Sequence, residues 1–205
     1  MATPDYGGNI FVNCPFDSAY RPLLEAILFA IAHCGFRARC ALEIEDSSQI
    51  RMEKILKIIS ECRFGVHDLS RTDLDGANNL PRFNMPLELG IFLGAKGFGR
   101  GEQRRKVGLI LDREKYRYQT FISDLAGQDI RAHGDDPKRA ITIIRDWLRS
   151  ASHRPDLPGG KAIGELYDRF LSQRPELCSG LRLTEDELTF NDSTWLISEW
   201  LRANR

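Results

Sequence analysis

The residue best placed to do chemistry in this chain is Glu88, in the segment NMPLELG at 84–90. Pro86 suits the first turn of a helix, where its missing N–H needs no partner, so we expect Glu88 in that first turn too. The leucine, isoleucine and phenylalanine side chains around it predict a largely dry setting. We expect the helix dipole to lower the pKa of this carboxyl. An oriented carboxylate with little water can stabilise or attack a cationic carbon.

Apolar segments alternate with helical patterns along residues 9–150 and predict the scaffold that positions this carboxylate. The predicted strands are 9–14, 36–42, 63–68, 107–112 and 129–132. Helices are predicted at 19–34, around 50–59, from Pro86 onward and at 137–150. Alternation of this kind indicates an α/β fold, a parallel sheet with helices on both faces. Ligands of such sheets bind at the carboxyl ends of the strands.

Composition gives little support to several classes of partner. Lys plus Arg equal Asp plus Glu at 29 each, so net charge offers no argument for nucleic acid or an anionic membrane. The longest apolar run, 23–34, is interrupted by Glu25 and is too short to span a bilayer. The five cysteines are odd in number and lack metal-ligand spacing, which favours buried free thiols. We expect a cytoplasmic protein with no bound metal.

The chain divides by composition into a main domain and an extension. Residues 1–152 carry the alternating pattern. Residues 153–160 are rich in proline and glycine, which is typical of a linker. Residues 161–205 then predict a small C-terminal helical extension, with a capping box at 184–187 and a last helix capped by Asn191 or Asp192. An extension of this kind suits oligomerisation or docking of a partner.

Three segments carry a resemblance to a known superfamily. FVNCPFD at 11–17, HDLS at 67–70 and NMPLELG at 84–90 resemble the nucleoside 2-deoxyribosyltransferase-like and Toll/interleukin-receptor (TIR)-like proteins, over residues 9–150. The resemblance implies a flavodoxin-like sheet and cleavage of an N-glycosidic bond, in nucleosides or in NAD. It also implies that Glu88 is the catalytic residue. The NCP segment at 13–15 is nearer the transferase-like branch.

The resemblance suggests substrate-binding roles for four residues at the strand ends, each with a structural alternative. Phe16 would stack on a base, or belong to the core. Asp17 is best interpreted as a helix cap. Asp68 would bind ribose hydroxyls, or stabilise a turn. Asn84 would orient Glu88 or the sugar, or cap the helix.

Other charged residues near the motifs are weaker candidates. Arg71, Arg82, Arg104 and Arg105 could reach a pyrophosphate, although isolated arginines are usually surface residues. His67 lies inside an apolar strand, which favours a packed histidine over a catalytic base.

The expected function is hydrolysis of NAD with release of nicotinamide, by an effector of bacterial antiviral defence. NAD is the substrate, and no cofactor is expected. The acidic loop 43–48 lies where TIR-like domains have a self-association loop, so a homo-oligomer is expected too.

One alternative is a nucleoside deoxyribosyltransferase or nucleotide N-glycosidase that uses the same Glu88. Another is a non-catalytic nucleotide-sensing or scaffold module. A phospho-receiver domain is disfavoured, because the first strand lacks paired acidic residues for magnesium.

Overall fold

The fold is known from a computed structural model, which describes residues 5–72, 80–81 and 83–204. Its strands are β1 (Asn9–Asn13), β2 (Arg37–Arg39), β3 (Phe64–Asp68), β4 (Val107–Asp112) and β5 (Arg131–Ala132). Its α-helices are α1 (Arg21–His33), α2 (Arg51–Ser60), α3 (Asn84–Phe98), α4 (Pro137–Ala151), α5 (Gly160–Gly180) and α6 (Phe190–Ala203). Short 3₁₀ helices lie at Ala41–Glu43, Gly101–Arg105, Arg117–Thr120, Ser123–Leu125 and Glu185–Glu187.

The five strands form one parallel sheet, which confirms the predicted fold class. The strand order is β2-β1-β3-β4-β5, the flavodoxin-like arrangement. Each pairing is parallel, so all strands end at the same edge of the sheet. The order of strands reverses between β1 and β3. In sheets of this type the reversal opens a crevice outside the carboxyl ends of those two strands.

Helices cover both faces of the sheet. On one face α1 and α4 pack together over the central strands, and Phe29 and Ile144 are fully buried there. On the other face α2 and α3 pack on β1 and β3 through Ile58 and Phe92. Burial of apolar surface of this extent is the main force that holds the layers together. It also fixes α3, and with it Glu88, against the sheet.

The C-terminal extension packs directly on the sheet domain. Aromatic rings of α5 and α6, Tyr167, Phe170 and Trp200, surround Phe29 of α1 at centroid distances of 5.2, 5.5 and 6.0 Å respectively. The indole Nε1 of Trp200 donates a hydrogen bond of 2.7 Å to Gln173. Consequently α1 lies between the sheet and the extension. Within the described residues, no helix combines the length and apolar character needed to cross a membrane.

Several element boundaries differ from the sequence expectation. β2 ends at Arg39 rather than residue 42, because Ala41–Glu43 turns into a 3₁₀ helix. α5 continues beyond the predicted end at 173 and accommodates Pro175. The last helix is capped by Thr189, whose hydroxyl accepts from the backbone N–H of Asp192 while the Asp192 carboxylate bonds back. That capping box starts α6 earlier than expected.

Gly65 lets α3 approach β3 closely, and this gives a first stability prediction. A Cβ at Gly65 would lie 2.7 Å from the Nε2 atom of His67 and 2.7 Å from the ring of Phe92. Overpacking of this kind typically costs about 1–3 kcal/mol. We expect Gly65→Ala to lower the free energy of unfolding by that amount in urea denaturation.

The matched control is Gly108→Ala in the neighbouring strand. Gly108 pairs with Gly65, yet its Cβ would meet the Phe92 ring at an ordinary 3.5 Å. This variant should stay within about 0.5 kcal/mol of the wild type. Equal losses in the two variants would show that close packing of Phe92 on Gly65 is not the cause.

Candidate active site

Glu88 lies in the second turn of α3, so the prediction that it lies in the first turn is wrong. The helix begins at Asn84, two residues before Pro86. A proline is tolerated at its third position because the first four N–H groups of a helix have no intrahelical partner. The helix therefore starts two residues, about half a turn, earlier than proline at the first position would imply.

The start of α3 is tied to the end of β1 by a buried asparagine. The Nδ2 group of Asn13 donates to the backbone oxygen of Met85 at 2.8 Å, and lies 3.1 Å from Nδ1 of His67. The His67 ring is fully buried between Phe11 and Phe92. Burial, followed by the charge of a nearby lysine, lowers its pKa to about 3. His67 is therefore a neutral packed histidine, as the sequence favoured, and it orients the asparagine.

The Glu88 carboxyl occupies an unusual environment for a glutamate. The residue is only 9% exposed, and no described residue makes a hydrogen bond to its carboxyl group. Burial raises its pKa to about 7, and the positive charge of Arg51 offsets this only in part. The expectation of a lowered pKa is therefore wrong. Glu88 lies beyond the first turn, where the free N–H groups and the dipole have most of their effect.

Glu88 lies near the end of β1, because Asn13 binds the backbone of Met85, three residues before Glu88 in α3. Its charge acts on two buried thiols, Cys14 just after β1 and Cys40 just after β2. Burial raises the pKa of both thiols most strongly, and the charge of Glu88 raises each further. The charge of Asp17 also acts on Cys14. With Arg51 at the first residue of α2, these groups converge on the carboxyl edge of the sheet beside the crevice.

Asp68 reaches the same edge but is fully engaged by the protein. It is 0% exposed. The hydroxyl of Tyr20 donates to it at 2.6 Å, and the N–H of Ser70 donates at 2.8 Å. The Nε2 atom of His133 lies 3.0 Å from its Oδ2 atom, and His133 accepts the N–H of Asp135 at Nδ1, which places the ring proton on Nε2. Burial acts to raise the pKa of Asp68, but these partners together hold it below its usual value.

Phe16, Asp17 and Asn84 lie at the surface of this edge. The Phe16 ring is 40% exposed, so it does not belong to the core. Asp17 accepts the backbone N–H of Tyr20 at 3.0 Å and so caps the turn that leads into α1. Asn84 is exposed and is itself the first helical residue, so it does not cap α3. It lies four residues before Glu88 and shares its face of the helix.

The arginine candidates that the structure describes lie at two opposite edges of the sheet. Arg71 follows β3 and lies 3.7 Å from Asp17, at the correct edge. Arg104 and Arg105 lie in the 3₁₀ helix before β4, at the opposite edge. Both are exposed surface residues away from Glu88, which agrees with the interpretation that the sequence favoured. Arg82 lies outside the described residues.

The sequence analysis did not single out three residues that shape this edge. Arg51 places a cation near Glu88, and Tyr20 and His133 enclose Asp68. Their partners are distant in the sequence, so no local spacing could reveal them. The signal that was available is their position, since each lies in or next to a segment that follows a strand end.

Comparison of the chain with protein-family models, with curated proteins and with solved structures found no match. The residues that the structure describes contain no group of three or more His, Cys, Asp or Glu side chains able to hold a metal ion. The site is therefore interpreted from its own geometry.

Proposed function

We propose that this protein hydrolyses the N-glycosidic bond of NAD and releases nicotinamide, with Glu88 as the catalytic residue. The observation that carries the proposal is a carboxyl group 9% exposed, without a described hydrogen-bond partner, at the carboxyl edge of the sheet. Burial of an unpaired carboxyl is unfavourable, and such groups are concentrated at functional sites. The resemblance of the surrounding motifs to TIR-like and deoxyribosyltransferase-like proteins supports the same residue.

The chemistry of NAD suits a single carboxylate. When the bond between C1′ of the ribose and the nicotinamide nitrogen breaks, its electron pair returns to a cationic ring, which leaves as neutral nicotinamide. The ribose carbon becomes an oxocarbenium-like cation. Glu88 either stabilises this cation or adds to it, and water then supplies the hydroxyl group while its proton passes to solvent. No general acid is needed for the leaving group.

The surroundings of Glu88 support binding of a nucleotide. Asn84 lies on the same helical face, where its amide can meet a ribose hydroxyl. Phe16 and Asp17 supply an exposed ring and a carboxylate at the neighbouring strand end. We leave Asp68 out of direct ribose binding, because its oxygens are occupied by protein groups. A cytoplasmic effector of bacterial antiviral defence that acts as a homo-oligomer remains our proposal for the biological setting.

A second candidate function is cleavage or transfer of the deoxyribosyl group of nucleosides. The raised pKa of Glu88 favours it specifically. A neutral nucleoside base leaves more easily when it is protonated, and a carboxyl with a pKa of about 7 is still half protonated at neutral pH. The non-catalytic sensing or scaffold module predicts binding of nucleotide without cleavage.

The deciding experiment follows nicotinamide release from NAD by purified protein at low and high protein concentration. We expect the wild type to release nicotinamide and Glu88→Ala to lose at least about 100-fold in rate, the size expected when a charge-stabilising group is removed. For NAD, activity should rise with pH through about 7, because the ionised carboxylate is the active form. Asp129→Ala, at an exposed residue of the surface, is the control.

Other outcomes separate the alternatives. In one such outcome, the protein releases base from nucleosides but not from NAD, with activity that falls above pH 7. That result would favour cleavage or transfer of the deoxyribosyl group of nucleosides. Saturable nucleotide binding that persists in Glu88→Ala, without base release from any substrate, would favour the sensing module. Equal nicotinamide release by the wild type and Glu88→Ala would contradict the assignment of Glu88.

A further inference from the structure

A cavity of about 340 Å³ lies where the C-terminal extension meets the loops after β1 and β2. One wall belongs to the sheet domain and includes Phe16 and Leu42. The opposite wall belongs to the segment that leads into α6 and to α6 itself, with Leu188, Phe190 and Ser193. The cavity is therefore completed by the part of the chain whose role the motifs leave unexplained.

This cavity is close to the candidate catalytic residue. Phe16 follows Asn13, the last residue of β1, by three residues. The side chain of Asn13 donates at 2.8 Å to the backbone oxygen of Met85, which lies three residues before Glu88 in α3. Consecutive Cα atoms are about 3.8 Å apart, so Phe16 lies within about 11 Å of Asn13. A substrate with two linked halves can therefore reach both places.

The apolar part of the cavity suits a flat ring. Phe16 is 40% exposed and Leu42 is 36% exposed, so both present apolar surface at the cavity. Phe190 and Leu188 face them from the extension. An aromatic ring placed here would cover this apolar surface and could stack on Phe16. The volume is at the lower end of the range of small-molecule sites.

The charged groups of the cavity are paired with one another. Asp17, Glu25 and Asp186 contribute carboxylates to its lining. Arg21 lies 3.2 Å from Glu25 and 3.7 Å from Asp186, Arg174 also pairs with Glu25, and Arg71 lies 3.7 Å from Asp17. The lining therefore offers an uncharged ring a place, and amino hydrogens on that ring could donate to a carboxylate oxygen, while a phosphate attached to the same ligand would extend out of the cavity.

We propose that this cavity binds the adenine ring of a dinucleotide substrate, and that the C-terminal extension forms its outer wall. The inference rests on the proposed cleavage of NAD, in which nicotinamide lies at Glu88 and the adenosine half must be held elsewhere. Adenine combines a flat apolar face with an amino donor. The extension would thus determine which substrates bind well, without contact with the bond that is cleaved.

The test compares two serine-to-tryptophan changes on α6. Ser193→Trp fills the cavity, whereas Ser198→Trp places the same side chain in a neighbouring groove of the same helix. Binding of AMP is measured by calorimetry, with Phe16→Ala as a trimming variant at an exposed position. We expect Ser193→Trp and Phe16→Ala to weaken AMP binding at least tenfold. Ser198→Trp should bind AMP as the wild type does.

A kinetic measurement separates this inference from the proposed function. The ratio of kcat/KM for NAD to kcat/KM for nicotinamide mononucleotide, which lacks adenine, should fall at least tenfold in Ser193→Trp and remain unchanged in Ser198→Trp. If Ser193→Trp and Phe16→Ala weaken AMP binding and Ser198→Trp does not, but no protein releases nicotinamide, the result supports the adenine site and contradicts the proposed activity. Absence of AMP binding to the wild type, or equal effects of the two tryptophans, would overturn the adenine site.

Discussion

Glu88→Gln is expected to be more stable than the wild type at pH 8, by about 1–3 kcal/mol, even though it removes the proposed catalytic group. Burial raises the pKa of Glu88 from 4.5 to about 7, so the folded protein favours the protonated carboxyl. The stability contributed by this carboxyl is fully present below pH 4.5 and is lost as pH rises through about 7. Glutamine keeps the shape and has no charge to bury.

Urea denaturation at pH 5 and pH 8 measures this effect. The advantage of Glu88→Gln should be small at pH 5 and should grow by roughly 2 kcal/mol at pH 8. Glu176→Gln, at an exposed position of α5, is the matched control and should show no such growth. If Glu88→Gln and the wild type differ in free energy of unfolding by the same amount at pH 5 and at pH 8, Glu88 does not titrate between these pH values in the folded protein. Stability gained where activity is lost is a common sign of a functional site.

Asp68→Asn is expected to lower the free energy of unfolding by about 3–5 kcal/mol, the usual range for breaking a buried charged network. The carboxylate is 0% exposed and accepts from Tyr20 and Ser70 while it faces His133. The amide has one acceptor oxygen in place of two, and its NH₂ group would confront a donor. The measurement is urea denaturation at pH 7.

The control for this prediction is Asp129→Asn. Asp129 forms a surface pair with Arg131 at 2.9 Å, and its side chain is 81% exposed, so the change should cost no more than about 1 kcal/mol. Because the folded pKa of Asp68 is depressed, its contribution is present above the unfolded value of 3.8 and disappears as pH falls through the folded pKa. The difference in free energy of unfolding between Asp68→Asn and the wild type should therefore become smaller in acid. A loss below 1 kcal/mol at pH 7 would show that the network is dispensable.

The sequence predicted the sheet well, because strands that are buried on both faces have continuous apolar runs. β4 runs from Val107 to Asp112, as expected, and β1 and β3 differ by one residue. β2 was overestimated. It pairs on one side only, with β1, and Arg37 is exposed, so its residues carry a weaker pattern. The fold class therefore follows from local patterns, whereas the length of an edge strand does not.

The burial of Glu88 was predictable from the sequence, but the electrostatics around it were not. The apolar neighbours of Glu88 correctly indicated a dry environment. The direction of its pKa shift was missed because Glu88 is the fifth residue of α3 and so lies beyond the first turn, where the dipole has most of its effect. The engagement of Asp68 could not be foreseen, since Tyr20 and His133 reach it from separate parts of the chain. Such contacts exist only after the fold has formed.

The position of α1 between the sheet and the C-terminal helices also affects how the chain folds. Phe29 contacts Trp200, which lies far along the sequence, so the core around α1 closes through contacts of high sequence separation. Contacts of this kind form late and slow the folding of a domain. During synthesis the apolar face of α1 remains uncovered until α5 and α6 have been made. A nascent chain therefore lacks the outer wall of the cavity until α6 has been made and has docked.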